Sequence, residues 1–252
     1  MLTQERHNYI LRALEERKAV SVMDLTKELQ TSESTIRRDL NALAKLGKLN
    51  KVHGGATYLE SKSKVTHEDQ VEIRRELHTE KKKLVGRYAA SLVEQDDFVY
   101  IDAGTTTASM IPFLTEKSAT YVTNSMEIAL KLARAGFNVY SLAGKLRKIT
   151  EAVVGCEAER SIEHFHFTKG FFGVNGISME AGYSTPDIEE ARIKQLALKN
   201  TYDAYVLADA SKFSVISSVT IGEIEDATII TDRLTDPIYK DSTEIIEVKG
   251  EE

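Results

Sequence analysis

The stretch TSESTIRRDLNALAKLGKL, residues 31–49, contains the apolar stripe that decides the fold of the N-terminal region. Its large apolar residues recur at steps of four, three and three, and they are Ile36, Leu40, Leu43 and Leu46. This spacing is typical of an amphipathic helix with one buried face. At about 100° per residue, Arg38 lies about 200° round from Ile36, so its side chain points away from that face. We therefore predict a helix with a buried seam and a basic outer surface.

Two shorter amphipathic segments precede this helix. The first carries Ile10 and Leu14 on one side, and the second lies within VSVMDLTKELQ, residues 20–30. Ser21 and Ser32 stand where N-caps are needed, because their hydroxyl oxygens can accept hydrogen bonds from exposed helix amides. The few residues between the last two segments allow only a tight turn. This order predicts a helix-turn-helix whose second helix enters the DNA major groove.

A glycine pair then interrupts KLNKVHGGATYL, residues 48–59. Short alternating segments flank Gly54 and Gly55, and two glycines supply the positive φ angles of a tight hairpin. We predict a two-stranded wing whose Lys51 and His53 approach phosphates. An isolated amphipathic helix would more often be a surface helix with solvated arginines. The ordered set of helices, cap, basic face and wing favours a winged helix that binds DNA.

The charge distribution separates this region from the rest of the chain. Residues 1–58 hold ten Lys and Arg against seven Asp and Glu, a net charge of +3. Since the whole chain carries a net charge of −6, residues 59–252 carry −9. Residues 59–83 are rich in charge and contain neither Gly nor Pro, so we predict a linker that becomes helical towards its end. Its cations Arg74, Lys81 and Lys82 could lean into a ligand pocket of the following domain, but the pattern favours a solvated charge run. The predicted domains are thus residues 1–58, the linker 59–83 and residues 84–252.

Composition excludes several classes of protein. The apolar runs are short and the first twenty positions contain charges throughout, so we expect neither a signal peptide nor a membrane-spanning helix. The single cysteine, Cys156, cannot form an internal disulfide. We expect a folded cytoplasmic protein without a membrane partner.

Residues 84–252 show the sequence pattern of an α/β domain. Helix-like stretches at 107–115, 125–135 and 187–200 alternate with short apolar segments. These segments are FVYI (98–101), TYVT (120–123), NVYSLA (138–143), GFFGV (170–174), AYVLA (204–208) and TII (228–230). This alternation predicts a parallel sheet with helices on its faces. In such sheets, ligands bind beyond the carboxyl ends of the strands.

Polar residues follow four of the predicted strands. They are Asp102, Gly104, Thr105 and Thr106; Asn124; Lys145 and Arg147; and Asp209 and Lys212. Cations and backbone N–H groups suit a phosphate, while Asp and Asn suit sugar hydroxyls, so together they predict a site for a phosphorylated sugar. Any one of these groups alone could be a capped helix start or a surface turn. Their recurrence at successive strand ends favours a site.

The N-terminal region resembles the DNA-binding domain of the DeoR family of bacterial repressors. The resemblance rests on Arg6, Ile10, Leu14, Ser32, Thr35, Ile36, Arg37, Arg38, Asp39 and Leu40, and on the wing residues Val52, His53, Gly54, Gly55 and Ala56. It implies that the DNA groove is lined by Ser32, Ser34, Thr35, Arg37 and Arg38, with Lys51 and His53 on the DNA backbone. We further expect a homo-oligomer, a dimer or tetramer, that binds operator DNA, because two-fold protein symmetry is matched by the symmetry of the site.

The C-terminal region resembles the sensor domain of the same family, whose fold is related to sugar-phosphate isomerases. The resemblance is carried by EKKKLVGRYAA, DAGTTT, TNS, AGKLR, GFFGVNGIS, TPDIEEARIK and DASKFS. YIDAGTTT, TPDIEEARIK and DASKF together look most like the fructose-operon repressors of Gram-positive bacteria. This implies a repressor of a sugar-utilisation operon that a phosphorylated sugar, such as fructose 1-phosphate, releases from DNA.

The sequence supports three other assignments less well. His164 and His166 would share one face of a strand, but no third ligand has suitable spacing, so we expect no metal. No nucleotide-binding glycine motif is present, and we expect no cofactor. A sugar-phosphate isomerase with an appended DNA-binding module remains as an alternative, with Asp102, Glu189 or Glu190, Asp209 and Lys212 as possible acid and base groups. We expect no enzyme, because an isomerase has no need of residues 1–58.

Overall fold

The computed structural model of the protein describes residues 3–45, 49–52, 54–58, 63–65 and 78–250. The chain forms two compact units, residues 1–61 and residues 62–252. Two of the residues considered above, His53 and Arg74, lie outside the described residues, as does Leu46 of the predicted seam.

The first unit is a helix-turn-helix with a small sheet. Its elements are α1 (Thr3–Arg17), β1 (Ala19–Ser21), α2 (Val22–Glu28), α3 (Glu33–Lys45), β2 (Asn50–Val52) and β3 (Gly55–Thr57). The predicted seam is confirmed, because Ile36, Leu40 and Leu43 are buried against α1 and α2. Both predicted caps are also confirmed: the Ser21 hydroxyl oxygen accepts from Asp24 N at 3.0 Å and that of Ser32 from Thr35 N at 3.2 Å.

The wing has three strands rather than the predicted two, because β1 adds to the hairpin in the order β1-β3-β2. Gly54 has a φ of 81°, as the turn requires, but Gly55 does not have a positive φ. Gly55 serves a different purpose: a Cβ there would lie 2.2 Å from the carbonyl oxygen of Val20 on β1. The second glycine therefore permits close strand approach, which the hairpin pattern does not reveal.

The second unit is an α/β domain. Its helices are α4 (Thr79–Ser91), α5 (Thr105–Ala108), α6 (Met126–Arg134), α7 (Cys156–Glu163) and α8 (Ile188–Lys199). Its strands are β4 (Ser63–Val65), β5 (Phe98–Ile101), β6 (Thr120–Thr123), β7 (Asn138–Ser141), β8 (Lys145–Leu146), β9 (Val153–Val154), β10 (Phe167–Gly173), β11 (Gly176–Ser178), β12 (Gly182–Thr185), β13 (Thr201–Ala208), β14 (Val215–Ser217), β15 (Val219–Gly222), β16 (Thr228–Thr231) and β17 (Ile245–Glu247).

Seven of these strands form a sheet with the order β17-β16-β13-β10-β5-β6-β7, and every pairing in it is parallel. Successive residues of a strand point to opposite faces. Val99 and Ile101 of β5 accordingly pack in the core cluster that contains residues of α4 and α6, while Tyr100 packs in the cluster that contains residues of α7 and α8. Both faces are covered, so the predicted α/β fold class is confirmed.

The strand order reverses between β5 and β10. The chain proceeds from β5 to β6 and β7 on one side, then crosses to β10 and continues through β13 to β16 and β17 on the other. Neighbouring connections at such a switch point leave the sheet in opposite directions, which opens a crevice at the carboxyl ends of the two strands. The loops after β5 and β10, which begin at Asp102 and Val174, therefore flank this crevice.

Three details differ from the prediction. The helix predicted at 107–115 is split into α5 and a 3-10 turn at Ile111–Phe113, because Pro112 has no N–H group with which to continue an α-helix. A seventh strand, β17, extends the sheet beyond the six predicted. The predicted linker is helical at its end as expected, since residues 79–83 belong to α4, but it also contains β4, which pairs with β14.

Candidate functional site

The switch point carries a cavity of about 140 Å³. A space of this size holds on the order of ten water molecules, which matches a phosphorylated sugar better than a dinucleotide. The lining residues come from five places: the start of α4, the loop after β5, the end of β10 and the loop after it, helix α8, and the turn after β13. They are His78, Lys82, Ala103, Gly104, Thr105, Thr106, Gly173, Val174, Asn175, Glu190, Lys194, Asp209, Ser211 and Lys212.

Five predicted effector residues line this cavity. They are Gly104, Thr105, Thr106, Asp209 and Lys212. The other four predicted residues, Asp102, Asn124, Lys145 and Arg147, do not line it. Two of these four lie beneath the cavity, and two are held by carboxylates of the α8 region.

Asp102 lies beneath the cavity floor and is fully buried. Its Oδ2 atom accepts hydrogen bonds from the ammonium of Lys194 and from Gly173 N, the latter at 3.0 Å. Its Oδ1 atom has no partner among the described residues. Burial raises the pKa of the Asp102 carboxyl, although the neighbouring ammonium of Lys194 opposes that shift.

Lys194 brings positive charge to the cavity floor. The side chain of Lys194 is 5% exposed, and its ammonium also donates to the carbonyl oxygen of Gly173 at 3.0 Å. An ammonium has three N–H donors, and these two bonds use two of them. The third remains for a ligand in the cavity.

Asn124 organises the loop after β5 from below. Its Oδ1 atom accepts from the hydroxyl of Tyr100 at 3.1 Å and from Ala103 N at 2.8 Å. The Asn124 side chain is buried. In this structure it therefore positions the backbone that precedes Gly104, while Gly104 itself faces the cavity.

The turn after β13 supplies a second acid and a second cation. The Asp209 side chain accepts from Ser211 N at 2.9 Å. Burial alone would raise the pKa of Asp209, but the hydrogen bonds from Ser211 and the charge of Lys212 hold it below its ordinary value. Asp209 is therefore an ionised hydrogen-bond acceptor, as recognition of a sugar hydroxyl requires.

Helix α8 explains where Lys145 and Arg147 lie. Lys145 Nζ is 2.9 Å from Glu189 Oε2, and this pair is exposed. Arg147 contacts two acids: its NH1 atom lies 2.7 Å from Glu190 Oε1, and its NH2 atom lies 3.0 Å from Asp187 Oδ2. Both cations thus form ion pairs with carboxylates at the start of α8. Glu190 lines the cavity, whereas Arg147 does not.

The favoured interpretation of the α4 wall was wrong. Lys82 was interpreted as part of a solvated charge run, but it is 7% exposed and lines the cavity with His78, one helical turn earlier. The i, i+4 spacing of these two residues was the available signal. Lys194 and Glu190 both lie in the quoted segment TPDIEEARIK, where helical spacing places them on one face of α8.

The candidate DNA-binding surface is the outer face of α3. Ser32, Ser34, Arg37, Arg38 and the wing residue Lys51 are exposed, and Thr35 is half-buried. Arg37 pairs with Glu33 at 3.0 Å in an exposed contact, which water and salt weaken readily. The predicted outward direction of Arg38 is confirmed.

A buried ion pair holds α3 against α1. Arg6 Nε lies 2.8 Å from Asp39 Oδ2, and His7 Nε2 lies 3.3 Å from Asp39 Oδ1. Burial alone would raise the pKa of Asp39, but Arg6 and His7 hold it below its ordinary value. Asp39 is adjacent to Arg38 in sequence, so this pair fixes the rotation of α3 about its own axis. That rotation determines which residues point outward.

Neither a metal cluster nor a membrane span is found in the described part of the chain. No group of three His, Cys, Asp or Glu side chains there could hold a metal ion, and His164 and His166 are exposed. No helix among the described residues is long and apolar enough to cross a membrane.

A helix-turn-helix unit and an α/β unit with a cationic cavity define the class of protein: a DNA-binding regulator with a ligand-sensing domain. Family models identify both units, since a DeoR-like helix-turn-helix domain matches residues 6–62 and a DeoR C terminal sensor domain matches residues 77–233. The second match covers more than half of the chain. The chain therefore belongs to the DeoR family of transcriptional regulators and carries its sensor domain.

Curated relatives match along most of the chain. An uncharacterized HTH-type transcriptional regulator, FruR, of Bacillus subtilis is 40% identical over 99% of this chain and 100% of its own length. The lactose phosphotransferase system repressor of Staphylococcus epidermidis is 32% identical over 82% of this chain and 83% of its own. The regulator IolR of Bacillus subtilis is 31% identical over 87% and 85%, respectively.

Solved structures are more distant. Ribose 5-phosphate isomerase A from Methanocaldococcus jannaschii is 15% identical, with a TM-score of 0.38 over 52% of this chain and 53% of that one. The delta subunit of eIF2B from Chaetomium thermophilum is 14% identical, with a TM-score of 0.42 over 60% and 59% of the two chains.

Proposed function

We propose that this protein represses a fructose-utilisation operon and that fructose 1-phosphate, bound in the switch-point cavity, releases it from operator DNA. The observation that carries the proposal is the charge of the cavity lining: Lys82, Lys194 and Lys212 all face one space. Three ammoniums around a small polar cavity suit a phosphate dianion.

The remaining lining suits the sugar. The ionised carboxylate of Asp209 and the side chain of Asn175 accept hydrogen bonds from hydroxyls, and the Thr105 and Thr106 hydroxyls both donate and accept. A phosphate group can accept from all three ammoniums, whereas a neutral sugar offers them no charge, so the site favours the phosphorylated form. The preference for fructose is supported by the YIDAGTTT, TPDIEEARIK and DASKF motifs and by the similarity to FruR.

On the DNA side, phosphate contacts fix the register of the protein, and contacts with base edges give specificity. The exposed hydroxyls and arginines at the start of α3 are placed for both kinds of contact. We further propose a homo-oligomer, a dimer or tetramer, that presents paired winged helices to repeated half-sites, because two-fold protein symmetry is matched by the symmetry of the site.

The proposal is tested by separating the two activities with single substitutions. Arg38→Ala should weaken binding to promoter DNA at least about tenfold through loss of a groove contact, while ester binding persists. Lys212→Ala should do the reverse. Arg134→Ala and Lys148→Ala are matched controls, because both residues are exposed and neither lines the cavity.

Effector identity is measured by thermal shift with fructose 1-phosphate, fructose 6-phosphate, glucose 6-phosphate, ribose 5-phosphate and free fructose. A ligand selective for the folded state raises the melting temperature according to its affinity. We expect fructose 1-phosphate to give the largest shift and free fructose to give none. A larger shift with another ester would reject the fructose assignment, and no shift with any ester would reject the phosphorylated-sugar effector.

A further inference from the structure

The two edges of the main sheet differ in how they are protected. At one edge, β17 carries Glu247, whose side chain forms an ion pair with Lys240 at 3.7 Å. At the other edge, β7 has the sequence NVYS, without charge or proline, and its register with β6 contains no bulge. Natural proteins block exposed edges with charges, prolines or bulges, because unpaired backbone groups can pair with another chain. The β7 edge lacks all three and is open to a further strand.

The pairing of β7 with β6 shows which backbone groups point outward. Leu142 N donates to the carbonyl oxygen of Thr123 at 3.0 Å, so the backbone groups of Leu142 point towards β6. Residues two apart in a strand direct their N–H and C=O groups to the same side, so Tyr140 also points towards β6, while Val139 and Ser141 point away. In the described part of the chain, no other strand pairs with β7. The edge thus presents two N–H and two C=O groups.

These groups match those of a second copy of the same strand. Around a two-fold axis at Tyr140, two antiparallel β7 strands place Val139 of each copy opposite Ser141 of the other. Opposite residues whose backbone groups face each other exchange two N–H···O bonds, so both pairs together satisfy every outward group of the two strands. The Tyr140 residues then form a non-hydrogen-bonded pair on the axis, with Cα atoms about 4.5 Å apart.

The Tyr140 side chain fits the same arrangement. It is 56% exposed, although its neighbour on β6, Val122, is fully buried. On the axis, the two Tyr140 rings lie side by side, and directly opposite aromatic residues form a favourable cross-strand pair. Pairing of the two strands would therefore cover an aromatic side chain that a single copy leaves in water.

On the other face of the sheet, helix α6 lies over β7. Leu132 of α6 packs in the same core cluster as Val139, and Ser141 Oγ lies 3.7 Å from Met126 Sδ. Met126 is exposed, and so is Leu130, one helical turn later. An exposed apolar flank of α6 thus continues from the open edge.

The charges of α6 are self-complementary as well. Glu127 lies in its first turn, and Lys131 and Arg134 lie in its last turn. The same two-fold axis makes the two α6 helices antiparallel on one face of the joined sheet, so the acidic first turn of each lies on the side of the basic last turn of the other. Opposite charges across an interface favour association and fix its orientation.

We propose that two copies of this chain associate through β7 and α6, which joins their main sheets into one continuous sheet. The occupant of the edge is a second copy of the chain, because the backbone groups of β7 and the charges of α6 each complement themselves. This inference rests on the homo-oligomer of the proposed function and deepens it by naming the surface that holds the copies together.

An engineered disulfide tests the register. Tyr140→Cys is made in a Cys156→Ser background, because Cys156 is the single cysteine of the chain and is exposed. Cα atoms about 4.5 Å apart lie within the range that a disulfide spans. Under mild oxidation, most of the chain should run as a cross-linked dimer on a non-reducing gel. The control is Tyr202→Cys in the same background, at a position that is 89% exposed, and it should stay largely uncross-linked. Equal cross-linking at both positions, or none at position 140, would overturn the inference.

Light scattering of the full-length protein tests the association itself. Tyr140→Lys places like charges opposite each other on the axis, so its assembly mass should be half that of the wild type. Ser141→Pro, which removes an outward N–H but no bond to β6, should have the same effect. Tyr202→Lys is the control and should keep the wild-type mass, and circular dichroism verifies that each variant is folded. Folded Tyr140→Lys and Ser141→Pro with the wild-type mass would overturn the inference and leave the proposed homo-oligomer intact. A wild type with the mass of one chain would overturn both.

Discussion

Replacing Lys194 by Met would leave a carboxylate without its counter-ion in the interior of the sensor unit. Asp102 is fully buried, and one of its oxygens already lacks a partner among the described residues. In the variant, the other oxygen would keep only the bond from Gly173 N at 3.0 Å. The methionine fills most of the volume of the lysine stem, so the effect reports the charge rather than a cavity.

The magnitude follows from the burial of both partners. Breaking a buried ion pair by removing one partner costs about 3–5 kcal/mol, because the other charge remains uncompensated. For a domain of this size, each kcal/mol shifts the melting temperature by about 2–4 °C. The sensor transition of Lys194→Met should therefore fall by roughly 6–20 °C at neutral pH. The double variant Asp102→Asn/Lys194→Met should recover much of that loss, because it removes the orphaned charge.

The pH dependence has a defined sign. Burial raises the pKa of Asp102 in the wild type, and loss of Lys194 removes the opposing influence, so the pKa rises further in the variant. The pKa of an unperturbed Asp in the unfolded chain is about 3.9. When the pKa of an acid is higher in the folded state than in the unfolded state, its contribution to stability is fully present below the unfolded pKa and is lost as the pH rises through the folded pKa. The defect of Lys194→Met should therefore shrink as the pH falls towards 5.

Calorimetric melts of the three variants at pH 5 and pH 8 measure both effects. The wild type and Asp102→Asn define the reference, and retained binding of promoter DNA shows that the first unit is intact. The reasoning is refuted if Lys194→Met melts like the wild type at pH 8, or if the double variant is no more stable than the single one.

Further predictions concern the packing of both units. Asp39→Asn should lower the melting temperature of the DNA-binding unit at neutral pH. Arg6 and His7 hold the pKa of Asp39 low, so the stability that Asp39 contributes is lost as the pH falls through that pKa, and the variant should lack this loss of stability in acid. A variant that loses stability in acid as the wild type does would contradict this. Gly86→Ala should destabilise the sensor unit by about 1–3 kcal/mol in urea unfolding, because its Cβ would lie 2.6 Å from the backbone carbon of Ser109; wild-type stability would contradict close packing of α4 on α5.

The architecture could be predicted from local sequence patterns. The spacing of the apolar residues predicted the buried seam of α3. The alternation of apolar segments with helical stretches predicted six of the seven strands of the main sheet. These features are local, because each is encoded within one element. β17 was missed because Ile245–Glu247 is short and only half-buried at the sheet edge.

The candidate site was predictable only in part. Residues directly after strands, such as Gly104 and Asp209, could be placed because parallel strands end at one edge of the sheet. Contacts between distant elements could not: Asp102 and Lys194 are 92 positions apart, and no local pattern pairs them. Arg147 was drawn away from the cavity by Glu190, 43 positions later, for the same reason.

The central claim is that a phosphorylated sugar in the cavity changes the affinity of the α3 surface for DNA. Fluorescence anisotropy of labelled promoter DNA from the operon of this protein, titrated at low salt with and without fructose 1-phosphate, tests it most directly. The account predicts tight binding that weakens steeply with added salt, as phosphate contacts require, and release of the DNA when the ester is added. No binding at low salt, or an affinity that neither this ester nor the others in the panel change, would contradict it.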